Sequence, residues 1–160
     1  MDRTEALKKI QNACGYSFTN IKLLEEALTH DSNRVNDRSV PTYQRLEFLG
    51  DSVLNFVVSD QIYRSNQDFN EGQLTNKRKE LIESVKQSQI AEKLNIKDYI
   101  VFGQSVRKDQ FSKYHSFVES LIGAVYIDGG LDKTRQVIHR LWELSDTSNA
   151  ANSRAGCVIS

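Results

Sequence analysis

Apolar residues recur at helical spacing along nearly the whole of this 160-residue chain. Ala6, Leu7 and Ile10 share one side of a predicted helix over 4–13, which Cys14-Gly15 stops. Tyr16-Ser17-Phe18 breaks the pattern. Thr19 or Asn20 is placed to cap a second helix, with Leu23, Leu24, Ala27 and Leu28 on its apolar face. Asp31 to Pro41 is polar and aperiodic, which reads as a loop. The strongest pattern runs from Tyr43 to Arg64. Leu46, Leu49, Val53, Leu54, Val57 and Val58 recur there at helical spacing, and Phe48, Phe56 and Ile62 widen the apolar surface. A helix apolar on most sides is predicted to be buried and central. Gly50 within it costs about 1 kcal/mol relative to Ala, which points to a close backbone approach. Residues 65–73 read as a loop, and Thr75 as the cap of a helix carrying Leu81, Ile82, Val85, Ile90, Ala91 and Leu94, with a break near Lys86–Ser88. After a mixed stretch over 95–115, Ser116 to Tyr126 forms a second strongly apolar helix that Asp128-Gly129-Gly130 ends. A last amphipathic helix runs from about Asp132 to Leu144. Residues 145–160, small and polar, are expected to form a flexible tail. No strand pattern of useful length and no internal repeat interrupts this. The expectation is an all-α fold with one domain over 1–144.

Composition narrows the class. At 18.3 kDa, 39% hydrophobic and 26% charged, with one Pro, the chain suits one folded domain rather than a disordered or repeat protein. No apolar run reaches the ~18 residues that a membrane-spanning helix needs, and the N-terminus lacks an apolar secretory core. An intracellular location is the resulting expectation. Cys14 and Cys157 lie near opposite ends, which argues against a disulfide framework. Lys and Arg number 21 and Asp and Glu 21, so the net charge is zero. That balance is unlike a strongly basic nucleic-acid-binding domain, but the distribution of charge matters more than its sum.

The chemistry lies in three carboxylates on the most apolar helices. Glu47 and Asp51 stand at i and i+4, on one face and about one turn apart. Glu119 lies in the second apolar helix, between Val118 and Leu121-Ile122. Desolvated carboxylates need a partner. Pairing with Arg45 or Arg78, protonation, and a divalent cation are three distinct solutions. If a cation is the answer, the all-oxygen donors select a hard ion, Mg²⁺ or Mn²⁺, over Zn²⁺.

Gln44-Arg45-Leu46-Glu47-Phe48-Leu49-Gly50-Asp51-Ser52-Val53-Leu54 resembles the signature of the ribonuclease III family, usually ERLEFLGDSVL. Three further segments resemble that family in the same order. They are Leu24 to His30 (LLxxALTH), Glu71 to Arg78 (EGxLTxxR), and the acidic helix Phe117 to Asp128. The resemblance implies an all-α endonuclease domain that forms a homodimer and cleaves double-stranded RNA in RNA silencing or ribosomal-RNA processing. It implies Mg²⁺, replaceable by Mn²⁺, held by Glu47, Asp51 and Glu119, with water as the attacking group and no covalent protein intermediate.

The chain departs from the family pattern at two acidic positions. Gln44 replaces the Glu that opens the signature, and Ser116 stands where the family has a catalytic Asp, three residues before Glu119. Ser116 offers a neutral hydroxyl able to assist through water, so less negative charge is available to attract Mg²⁺. A catalytically weak RNA-binding or subunit-pairing module is therefore the competing expectation. Lys77, Arg78 and Lys79, with His30, are candidates for RNA contact, against the alternatives of a solvated charged face and a structural histidine. The last four residues, Cys157-Val158-Ile159-Ser160, fit the prenylation pattern with farnesyl preferred. One such chain on Cys157 predicts weak, reversible membrane association.

Overall fold

A computed structural model describes residues 1–145. Cys157, and nearly all of the predicted tail, lie outside the described residues. Six α-helices carry the fold: α1 (Arg3–Cys14), α2 (Ile21–Ala27), α3 (Gln44–Ser65), α4 (Glu71–Ile82), α5 (Ser84–Lys93) and α6 (His115–Trp142). Short 3-10 turns at Asp31–Arg34, Ile96–Asp98 and Lys108–Gln110 lie between them. Thr29 and Val101 form an isolated parallel β-bridge, and the described residues contain no strand. No described helix is long and apolar enough to cross a membrane.

Local chemistry sets most of the boundaries. Gly15 takes φ +72°, and its N–H returns to the Asn12 and Gln11 carbonyls, closing α1. Asn20 accepts from the Lys22 N–H at 3.2 Å and starts α2. The predicted start of α4 moves. Its cap is Asn70, not Thr75, because Asn70 and Gln73 satisfy one another's backbone N–H groups in a capping box. Thr75 sits a turn inside and donates to Glu71 Oε1. Asn70→Ala should therefore lower stability by about 1 kcal/mol, read as a fall in the thermal midpoint. The predicted break near Lys86–Ser88 falls earlier, at Glu83, whose ψ of 157° separates α4 from α5. The break after Tyr126 shrinks to Gly130 (φ +83°, ψ −179°), a kink between two helical segments that otherwise run on as α6.

The core forms where α3 packs against α6. Leu54, Val57, Val58, Phe117, Leu121 and Ile122 are fully buried there. Gly50 and Gly123 let the two backbones touch. A Cβ on Gly50 would lie 1.7 Å from the Glu119 carbonyl oxygen, and one on Gly123 would lie 2.2 Å from that of Leu46. The expected close approach at Gly50 is thus a backbone contact with the segment that carries Glu119. The expected buried central helix is α3, but its aromatic residues lie outside the core. Phe48, Phe56 and Tyr63 are 79%, 54% and 70% exposed. Their spacing of eight and seven residues places them in one stripe along the helix.

Candidate functional site

The contact between α3 and α6 brings the predicted carboxylates together. Gly50 precedes Asp51, and its closest neighbour across the crossing is the carbonyl of Glu119 itself. The Glu119 carboxyl is partly buried and its pKa is pushed up to about 7. Burial is the main cause, and the facing Asp51 and Glu47 carboxylates add to it. A hydrogen bond from Gln87 acts in the opposite direction, because it favours the ionised form. Neither Arg45 nor Arg78 forms an ion pair with Glu47, Asp51 or Glu119, and no other ion pair among the described residues involves these three. Arg78 instead donates to Ser59 Oγ at 3.1 Å.

Three neighbouring carboxylates, one of them partly buried, with no cation paired to any of them suit a divalent ion, and their oxygens suit a hard one. The arrangement is open. Among the described residues, no three His, Cys, Asp or Glu side chains are close enough together to hold a metal ion as they stand. Asp51 is itself exposed, so the site opens to solvent on the α3 side.

Ser116 lies one helical turn before Glu119 and is 6% exposed. It therefore occupies the edge of the same face without adding charge. His30 is half-buried among Tyr43, Phe102, Phe111 and Phe117, with ring centroids 5.2–6.4 Å away. Its Nδ1 lies 3.1 Å from the Ser32 N–H, which it caps, and 2.9 Å from Ser32 Oγ. Burial holds the His30 pKa below its usual value. Its packing and capping partners are structural. Lys77, Arg78 and Lys79 do not share one face of α4. Lys77 and Lys79 are exposed on either side, while Arg78 between them turns in toward α3.

Gln87 is the site residue that periodicity and motif do not single out. Its signal is an amide at the apolar phase of α5, three residues before Ile90 and four before Ala91, both of which are buried.

A family described as ribonuclease-III-like matches residues 20–143, most of the chain. The chain belongs to the ribonuclease III family. It is 37% identical over 145 residues to the ribonuclease 3 of Rickettsia akari (strain Hartford), covering 87% of this chain and 64% of that protein. It is 38% identical over 146 residues to the ribonuclease 3 of Anaplasma marginale (strain St. Maries), covering 89% and 62%. The chain thus spans slightly under two thirds of the length of these relatives. Among solved structures it resembles a nuclease domain of ribonuclease III from Campylobacter jejuni, described for flexibility in a region involved in dimer formation. The TM-score is 0.78 and the identity 30%, over 86% of this chain and 96% of that one. It also resembles Dicer from Pichia stipitis, with a TM-score of 0.58 and 27% identity, over 89% of this chain and 61% of that one. The all-α ribonuclease III nuclease-domain fold stands on these similarities and on the helices described above.

Proposed function

We propose that this chain is a divalent-metal-dependent endoribonuclease that cleaves double-stranded RNA as a homodimer. The observation that carries the reading is the uncompensated acidic face formed by Glu47, Asp51 and Glu119 at the backbone contact between α3 and α6. A bound Mg²⁺, or Mn²⁺ in its place, supplies activation of water and neutralises charge at the phosphate. The chain's contribution is placement. The Gly50–Gly123 contact fixes the two helices, α3 presents Glu47 and Asp51 one turn apart, and α6 presents Glu119 against them. Ser116 adds a neutral hydroxyl beside them. Purified protein incubated with a long RNA duplex should give short products with Mg²⁺ or Mn²⁺ and none with chelator. No cleavage with either ion would refute the reading.

The exposed stripe of Phe48, Phe56 and Tyr63 supports pairing with a second copy, because exposed aromatic residues in one line favour burial against a partner. Phe48 lines a groove with Leu23, Leu46, Leu49 and Ile127, rimmed by Glu26, Gln44 and Arg45, and Ile127 is itself exposed. Phe48→Asp should leave the helical content intact and shift the chain from dimer to monomer in sedimentation velocity.

Ser116 favours a second reading, a ribonuclease-III-like module that binds RNA without efficient cleavage. Restoring a carboxylate discriminates between the two. Ser116→Asp adds a charged ligand one turn from Glu119, so it should tighten Mn²⁺ binding and raise the cleavage rate by roughly tenfold or more. RNA binding without cleavage by either form would support the module.

A further inference from the structure

Gln87 is 3% exposed, and burying a primary amide is costly unless all its polar groups are partnered. Its Nε2 donates to the Ile82 carbonyl at 2.8 Å and to Glu119 Oε1 at 2.8 Å, which uses both amide hydrogens. Its Oε1 is buried with no hydrogen-bond partner. The chain therefore keeps a partly unsatisfied amide in its interior. Capping the end of α4 does not account for that choice alone, because the neighbouring carbonyl of Leu81 is satisfied by Trp142 Nε1, whose ring buries with no amide oxygen to strand. The contact peculiar to Gln87 is the one with Glu119. It holds Oε1 from the protein side, while Asp51 meets the same carboxyl from α3.

We propose that Gln87 is a positioning residue for the acidic site, its amide fixing the Glu119 side chain so that Oε2 is presented to a divalent cation. The inference rests on the metal-site reading given above. Mg²⁺ demands near-ideal octahedral geometry and gives up its water reluctantly, so a carboxylate already held in place binds it at lower cost. Hydrogen-bond partners behind metal ligands are worth about 10–100-fold in affinity in other metal sites. Ser116 makes the requirement sharper here. With one carboxylate fewer to attract the ion by charge, more of the affinity depends on the orientation of those present.

The test uses the metal alone. In titrations of the purified chain with Mn²⁺, followed by calorimetry and by the rise in melting temperature, Gln87→Met should weaken binding by about 10–100-fold. Methionine keeps the length and apolar volume while removing both donors. A role confined to capping α4 would lower the metal-free melting temperature and leave Mn²⁺ affinity unchanged, and that result overturns the inference. A second measurement needs no variant. In nuclear magnetic resonance of the unaltered chain, the Gln87 side-chain NH₂ signals should move on addition of Mg²⁺ with the same midpoint as the Glu119 backbone amide. Side-chain signals that stay still while the Glu119 signal moves also overturn it. If the unaltered chain binds neither ion, the metal-site reading fails and the inference with it. If the unaltered chain binds and Gln87→Met binds equally well, the inference alone fails.

Discussion

Glu119→Gln should stabilise the metal-free protein above neutral pH while sharply slowing RNA cleavage. The sign follows from the direction in which burial moves the carboxyl. The Glu119 pKa is raised from 4.5 to about 7 in the folded chain, so the folded state holds its proton more tightly than the unfolded state does. Stability then falls as pH rises through this window, from no penalty below the unfolded value to the full penalty above the folded one. A tenfold change in proton affinity corresponds to about 1.4 kcal/mol, and discounting for partial solvent access leaves a penalty of about 1–3 kcal/mol near pH 8. Glutamine matches the shape, carries no charge and does not titrate. Its gain should thus be largest above pH 7 and vanish in acid, as read by chemical denaturation across the pH range in chelator. Mn²⁺ should shift the balance back toward the parent. An ion at 100 times its dissociation constant adds about 2.7 kcal/mol to the parent and nothing to a variant that cannot bind it. Cleavage should fall on the order of 10³-fold, since a metal contributes several kcal/mol of transition-state stabilisation and each 1.36 kcal/mol is about tenfold in rate. Equal stability of parent and variant at every pH would mean that the Glu119 carboxyl is not desolvated in the folded chain.

How much of this arrangement is legible in the sequence depends on the range of the interaction. The i, i+4 spacing of Glu47 and Asp51, and the apolar runs around them, are local and place both residues on one helix face. Gly50 is legible too, because a glycine in a strong helical run needs a reason, and the reason is a neighbouring backbone. What periodicity does not carry is which apolar face finds a partner within the chain. Phe48, Phe56 and Tyr63 fit the pattern of a buried helix as well as Val57 and Val58 do, yet they lie outside the core. The α4 cap is ambiguous for a related reason. Thr75 and Asn70 are both good caps by residue type, and the reciprocal bond with Gln73 decides between them. Gln87 carries a weak local signal, and its partner Glu119 is 32 residues away. Contacts of that separation are set by how helices cross, not by their individual patterns.

The crossing itself gives the second large effect, Gly50→Ala, the smallest substitution that should dismantle the site. The added methyl would lie 1.7 Å from the Glu119 carbonyl oxygen, 2.7 Å from its carbon and 2.9 Å from the Gly123 nitrogen. All three are backbone atoms of a buried helix, so no rotamer change relieves the overlap, and α3 and α6 must separate. Overpacking a core costs about 1–3 kcal/mol even where side chains can shift, so with backbone on both sides the loss should be about 3 kcal/mol or more. Propensity alone predicts the opposite sign, since alanine favours a helix over glycine by about 1 kcal/mol. Gly72 is the internal control. It lies in exposed α4, and its added methyl would meet only Asn70 Oδ1 at 3.5 Å, so Gly72→Ala should gain about 0.5–1 kcal/mol. Thermal denaturation of the two variants should move in opposite directions. Because the clash at Gly50 falls on the peptide carbonyl of Glu119, its effect reaches the chemistry too: any Gly50→Ala protein that still folds should bind Mn²⁺ more weakly than the parent, whereas Gly72→Ala should bind it equally well. A Gly50→Ala variant with parental stability and parental Mn²⁺ affinity would show that the two helices do not meet at this point.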